Sequence, residues 1–134
     1  MVDAGPLVAL IDADEPDHDA CVLALEAAAG PLLTTWPAFT EAMYLLGRAA
    51  GAAGHQALWR LPLTGRLKIA DLSRDALQRS AALMLKYADR PMDLADATLV
   101  ALAEEINERR IVTLDHDFQI YRIHGRGRFQ ITPR

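Results

Sequence analysis

Five carboxylates, Asp3, Glu41, Asp93, Asp96 and Asp115, are spread over most of this 134-residue chain, each where an apolar stretch ends or a helical one begins. In a parallel α/β sheet such ends gather along one edge, and carboxylates gathered there can hold a hard divalent cation through oxygen ligands. Taken singly, each acid has an ordinary explanation, because Asp at a strand end or helix start caps orphan backbone amides. Capping accounts poorly for the whole set. Asp93 and Asp96 lie three apart and share a helix face, where like charges repel unless a cation or a shared proton intervenes. One of them can cap while the other binds, and Asp93 is the better N-cap. Asp117, two beyond Asp115, reads either as the cap of a short helix at Phe118 or as a second carboxylate beside the ion.

The elements that must position these acids follow from hydrophobic periodicity. Apolar runs of strand length alternate with longer helical patterns, the signature of βαβ units on a mostly parallel sheet. Val2 opens a very short first strand ending at Asp3, broken by Gly5-Pro6 with a helical turn behind. Asp17 is placed to cap a helix running to Ala29. Leu32-Leu33-Thr34 reads as a strand, and Thr35 begins a helix that carries Glu41 about one turn in and ends near Ala50. Gly51 and Gly54 bracket a turn before a helix from His55 to Leu61, closed by Pro62 and Gly65. The alternation in Arg66 to Ala70 predicts a half-exposed strand, and Ser73 caps a helix ending near Tyr87. A helix follows from Asp93, then a buried strand from Arg110 to Leu114 with Asp115 at its end. The tail carries a helical piece from Phe118 to Ile123, a Gly125-Arg126-Gly127 turn and an edge strand from Arg128 to Thr132, before Pro133.

Composition is consistent with one domain over residues 1–134, since 51% hydrophobic content supplies a core and no linker or repeat divides the chain. A net charge of −4 argues against a generally basic nucleic-acid coat, but not against a metal-dependent nuclease with a local arginine surface. Arg122, Arg126 and Arg128 could provide one by meeting RNA phosphates; a solvated tail or a protein contact explains them equally well. The single cysteine, Cys21, excludes an internal disulfide and reads as a buried small hydrophobe in a reducing compartment. No apolar run reaches the roughly 18 residues that cross a bilayer, and no signal peptide is evident, so a cytoplasmic protein is expected, with no membrane partner. His18, His55, His116 and His124 lack paired ligand spacing for zinc. Trp36, Tyr44 and Trp59 suit core or interface packing better than base stacking, and Met43, Leu45 and Leu46 suit the core or a groove for a partner helix.

Val2-Asp3-Ala4-Gly5-Pro6-Leu7, Glu41 after Thr34-Thr35, the segment Met92 to Ala103 and the segment Ile111 to Phe118 resemble, in order and spacing, the PIN-domain ribonucleases. The likeness is closest to the VapC-type toxins of bacterial toxin–antitoxin pairs, and it spans essentially the whole chain. It implies a three-layer α/β/α sandwich, a Mg²⁺ site that Mn²⁺ also fills, and endonucleolytic cleavage of RNA, often tRNA or rRNA. It also implies a cognate antitoxin and a homodimer. Carried over by motif, Asp3, Glu41, Asp96 and Asp115 are the catalytic and metal-binding acids. Thr113 is a supporting hydroxyl, and Asp93 is an additional acid of lower rank. Asp3 and Asp96 are the most direct expected ligands, with Glu41 and Asp115 completing a second site or holding metal-bound water. The chain departs from the family in having only Met1 and Val2 before Asp3, so the first strand is expected to be clipped or to begin upstream. An inactive PIN-like scaffold is the alternative; a phosphoacceptor receiver domain lacks the Lys that its site needs near Asp115.

Overall fold

A computed structural model describes residues 1–134. In chain order the elements are α1 (Ala4–Ile11), α2 (His18–Ala27), β1 (Leu32–Thr35), α3 (Trp36–Leu63), β2 (Leu67–Ala70), α4 (Arg74–Lys86), α5 (Leu94–Ile106), β3 (Arg110–Val112), a 3-10 turn (His116–Gln119) and β4 (Gln130–Thr132). Two parallel strand pairs form, β1 with β2 and β3 with β4, and the N-terminus joins them. Val2 makes a parallel bridge to Val112 and donates its N–H to Leu33 O at 2.8 Å, so the rows run β2, β1, Val2, β3, β4. This is the expected mostly parallel sheet, with β4 at an edge.

Two helical layers cover it. On one face α4, α5 and the tail pack Leu83, Leu99, Val100, Phe118 and Tyr121 around Ile111; on the other α1, α2 and α3 pack Leu7, Leu25, Phe39, Leu46 and Leu58 around Val2 and Val112. Each large apolar side chain so buried contributes about 1.5–3 kcal/mol. Helix α5 is buried without interruption from Ala95 to Ala103 because it lies between the sheet and α4, and that carries Asp96 and Thr98 inside with it.

Several boundaries differ from the sequence expectation, for identifiable reasons. The first strand shrinks to one bridged residue, since Asp3 already caps α1 by accepting from Ala4 N at 2.7 Å. Asp17 precedes α2 but makes no side-chain cap: its backbone, at φ −95° and ψ 10°, is not extended and does not aim the carboxylate at the free amides. Helix α3 does not break over four residues. It kinks at Gly51 alone, whose φ of 59° and ψ of −141° suit only glycine, and it passes through Pro62 to Leu63. Helix α2 stops at Ala27, β3 stops at Val112, β4 starts at Gln130, and the tail helix is a 3-10 turn starting at His116. Cys21 is buried as expected, whereas Trp36, Tyr44 and Trp59 remain partly exposed, so they do not belong to the core.

The Gly51 kink folds the two limbs of α3 tightly together. A Cβ added at Gly54 would lie 2.6 Å from the Leu46 carbonyl oxygen, whereas one at Gly5 would meet only ordinary contacts at 3.6 Å or more. Gly54→Ala is therefore expected to cost about 1–3 kcal/mol in urea unfolding by forcing these limbs apart. Gly5→Ala, in the first turn of α1, is expected to be neutral or to gain up to about 1 kcal/mol. Equal effects at the two positions would refute the close-packing account.

Candidate metal centre

The C-terminal ends of the strand rows deliver the acids. Asp3 follows Val2 directly, and its N–H donates to Val112 O at 3.0 Å. Its carboxylate accepts from Ala4 N through Oδ1 and from Thr113 Oγ1 through Oδ2 at 2.8 Å. Thr113 Oγ1 in turn accepts from Asp115 N at 3.0 Å, so one hydroxyl ties together the two strand ends that carry Asp3 and Asp115. Asp115 caps the 3-10 turn by accepting from Asp117 N at 2.9 Å. The cap is thus Asp115 and not Asp117, whose carboxylate instead pairs with Arg90 at 3.4 Å.

The other side of the site comes from α5 and α3. Asp93 is the N-cap of α5, accepting from Asp96 N at 2.8 Å, and Asp96 enters the interior one residue after buried Ala95. A residue the sequence analysis missed completes this side: the buried Tyr121 hydroxyl donates to Asp96 Oδ2 at 2.9 Å. Below it, Thr98 Oγ1 donates to Ala95 O, so Thr35 Oγ1, 2.8 Å away, donates to Thr98 and binds the end of β1 to α5. Glu41 reaches the cluster from the second turn of α3 and stays at its exposed rim. Arg90 was also missed, in a segment that reads only as a helix interruption.

The acids act on one another through their charges. Burial pushes the Asp3 carboxyl up, and the charges of Asp115 and Asp93 add to the rise. Glu41 is raised by burial and then by Asp93, Asp3 and Asp115. Asp96 is pushed up to about 8 by burial, with further repulsion from Asp93, Asp3 and Asp115, against the opposing hydrogen bond from Tyr121. The tyrosine itself is raised by burial and by Asp96, so it stays protonated and remains a donor. All five acids named at the outset therefore share one field. Of the tail arginines, Arg122 donates to the carbonyls of Gln119, Ile120 and Tyr121 and so closes the 3-10 turn, while Arg126 projects into solvent.

The donor set fits a hard cation. Asp96 Oδ1 makes no hydrogen bond, yet no buried polar side-chain atom lacks a partner, so this oxygen keeps some access to solvent. No three acidic, histidine or cysteine side chains stand close enough to hold an ion by themselves. Mg²⁺ does not require that, because it keeps several waters and is usually held by one or two carboxylates together with substrate phosphate.

Carboxylates collected at the carboxyl ends of parallel strands, between two helical layers, define a nuclease-type PIN architecture. The chain belongs to the PIN-domain family, whose model matches residues 1–123, and within it to the VapC type. It is 31% identical over 134 residues to Ribonuclease VapC26 of Mycobacterium tuberculosis, covering 99% of each chain. Among solved structures, the Mycobacterium tuberculosis toxin VapC20, described as cleaving the sarcin–ricin loop, superposes with a TM-score of 0.82 at 19% identity, over 89% of this chain and 92% of the other. A chain of a toxin–antitoxin complex from Klebsiella pneumoniae superposes with a TM-score of 0.64 at 24% identity, over 87% and 88%.

The raised carboxylates make a prediction about the metal-free protein. Folded Asp96 keeps its proton up to about pH 8, whereas an ordinary aspartate releases it near 3.8, so between these values the folded state binds more protons than the unfolded chain. Stability then falls as pH rises through that window. Melting of the EDTA-treated protein is expected at least about 5 °C lower at pH 8.5 than at pH 5, with Mg²⁺ recovering part of the loss and Asp96→Asn flattening the profile. A stability that rises with pH in EDTA would contradict the cluster as described.

Proposed function

We propose that this chain is a Mg²⁺-dependent endoribonuclease, with Mn²⁺ able to substitute, and that it acts as the toxin of a VapBC-type pair in the cytoplasm. The observation that carries the reading is the placement of Asp3, Asp96, Asp115 and Glu41 about one sheet edge, where burial and mutual repulsion disfavour their charge and a divalent cation would relieve it. The full-length likeness to a ribonuclease supports the choice of RNA as substrate.

In this reading Asp3 and Asp96 hold the ion, and Asp115 and Glu41 hold its waters or a second ion. When bound, the cation lowers the pKa of an attacking water and offsets the charge that develops on the scissile phosphate. Thr113 keeps Asp3 and Asp115 in register, and Asp93 fixes the start of α5 while adding to the negative field. Glu41, exposed at the rim and raised in pKa, is suited to take a proton from the incoming water on its carboxylate. Arg126 is free to meet RNA phosphates.

A cognate antitoxin and a second copy of the chain are the proposed protein partners. Exposed Trp36 and Trp59 flank the buried Phe39 ring at 5.9 and 5.2 Å, an apolar surface of α3 that a partner would cover, and Tyr44 and Leu63 of the same helix are also exposed. A solved neighbour of this fold comes from a toxin–antitoxin complex.

The test is cleavage of RNA by the purified protein. Activity is expected in Mg²⁺ or Mn²⁺, to vanish in EDTA, and to fall at least about 100-fold in Asp96→Asn. Cleavage that persists in EDTA and survives Asp96→Asn would overturn the proposal.

A further inference from the structure

The tail after the 3-10 turn is latched to α5 at two places. His124 N donates to Glu104 Oε1 at 3.0 Å, and Glu104 is itself clamped by Arg79 through two bonds at 2.8 and 3.1 Å. Two turns earlier on α5, Tyr121 donates to Asp96. Its ring is fully buried and held edge-on between Phe118 and Tyr87, at centroid distances of 5.1 Å on each side. Such a ring cannot swing away from the carboxylate. Its backbone N–H is also fixed, by Asp117 O at 3.1 Å.

A carboxylate has two oxygens, and an aspartate side chain turns freely about its last bond unless one of them is engaged. Engaging Oδ2 from the interior leaves Oδ1 as the oxygen with access to solvent. Rotation of the carboxylate would strand the Tyr121 hydroxyl without a partner, which the packing makes costly. We propose that Tyr121 is a positioning residue for the metal centre, fixing Asp96 so that Oδ1 is presented to the cation before any metal arrives. The inference rests on the reading of Asp96 as a ligand, and it assigns to the tail a part in the site beyond closing the fold. Partners of this kind, behind the direct ligands, usually alter metal affinity by about 10–100-fold when removed.

Tyr121→Phe deletes the hydroxyl and keeps the ring between Phe118 and Tyr87. Calorimetric titration of the full-length protein with Mn²⁺ is expected to show at least about tenfold weaker binding than wild type. Phe129→Leu supplies the control, because Phe129 packs on Phe118 at 5.4 Å in the same cluster without touching an acid; it is expected to lower the melting temperature and leave Mn²⁺ affinity unchanged. Equal affinity in wild type and Tyr121→Phe, or an equal loss in Tyr121→Phe and Phe129→Leu, would overturn the positioning role alone. Wild-type protein that binds no Mn²⁺ would overturn the metal reading on which it rests.

Discussion

The N-terminal three residues hold the molecule together. Met1 accepts from Val112 N at 2.8 Å, Val2 donates to Leu33 O, Thr34 Oγ1 donates to Val2 O, and Asp3 donates to Val112 O. These bonds join the β1–β2 pair to the β3–β4 pair, so the sheet is continuous only through this segment. A strand of a single bridged residue is short, but it is stitched on both sides, and Val2 is fully buried between the two halves. The same stitching sets the position of Asp3, because its N–H is bonded and each carboxylate oxygen accepts one hydrogen bond, which leaves a further lone pair on each. The part of the fold with the fewest residues is therefore the part on which the site's geometry depends most.

Around that point the structure gathers charges that repel one another. Burying Asp3 and Asp96 without a cationic side chain against either disfavours their ionised forms, and the neighbouring Asp93 and Asp115 make it worse. Nothing in the packing requires this, since the two apolar clusters complete the core without the acids. We propose that such a cost, retained at one edge beside Thr113 and Tyr121, suits that edge to a ligand that neutralises it.

The sequence made the outline legible and left the cross-connections hidden. The run before Asp115 and the helix after Asp93 could be read because burial on both faces leaves a near-continuous apolar record. The caps at Ser73 and Asp93 could be read because both have extended backbone and side chains that reach amides three residues on. Asp17 looked the same in sequence and failed because its backbone turned otherwise. The five acids could be picked out as a set by their relation to strand and helix ends, and the structure places Asp3, Asp93, Asp96 and Asp115 at such ends. Tyr121 was not: its partner lies 25 residues away, and nothing local distinguishes it from the other tail aromatics. The pairing of Thr35 with Thr98, 63 residues apart, was hidden for the same reason. Periodicity reports which face is buried, not which buried group meets which.

Whether the carboxylates at this edge form a cation site is decided by a crystal structure of the protein soaked in Mn²⁺. An anomalous peak is expected within about 2.5 Å of a carboxylate oxygen of Asp3 or Asp96, on the side of Asp96 Oδ1. Full Mn²⁺ soaking that leaves this cleft without a peak, or places the ion elsewhere on the chain, would contradict it.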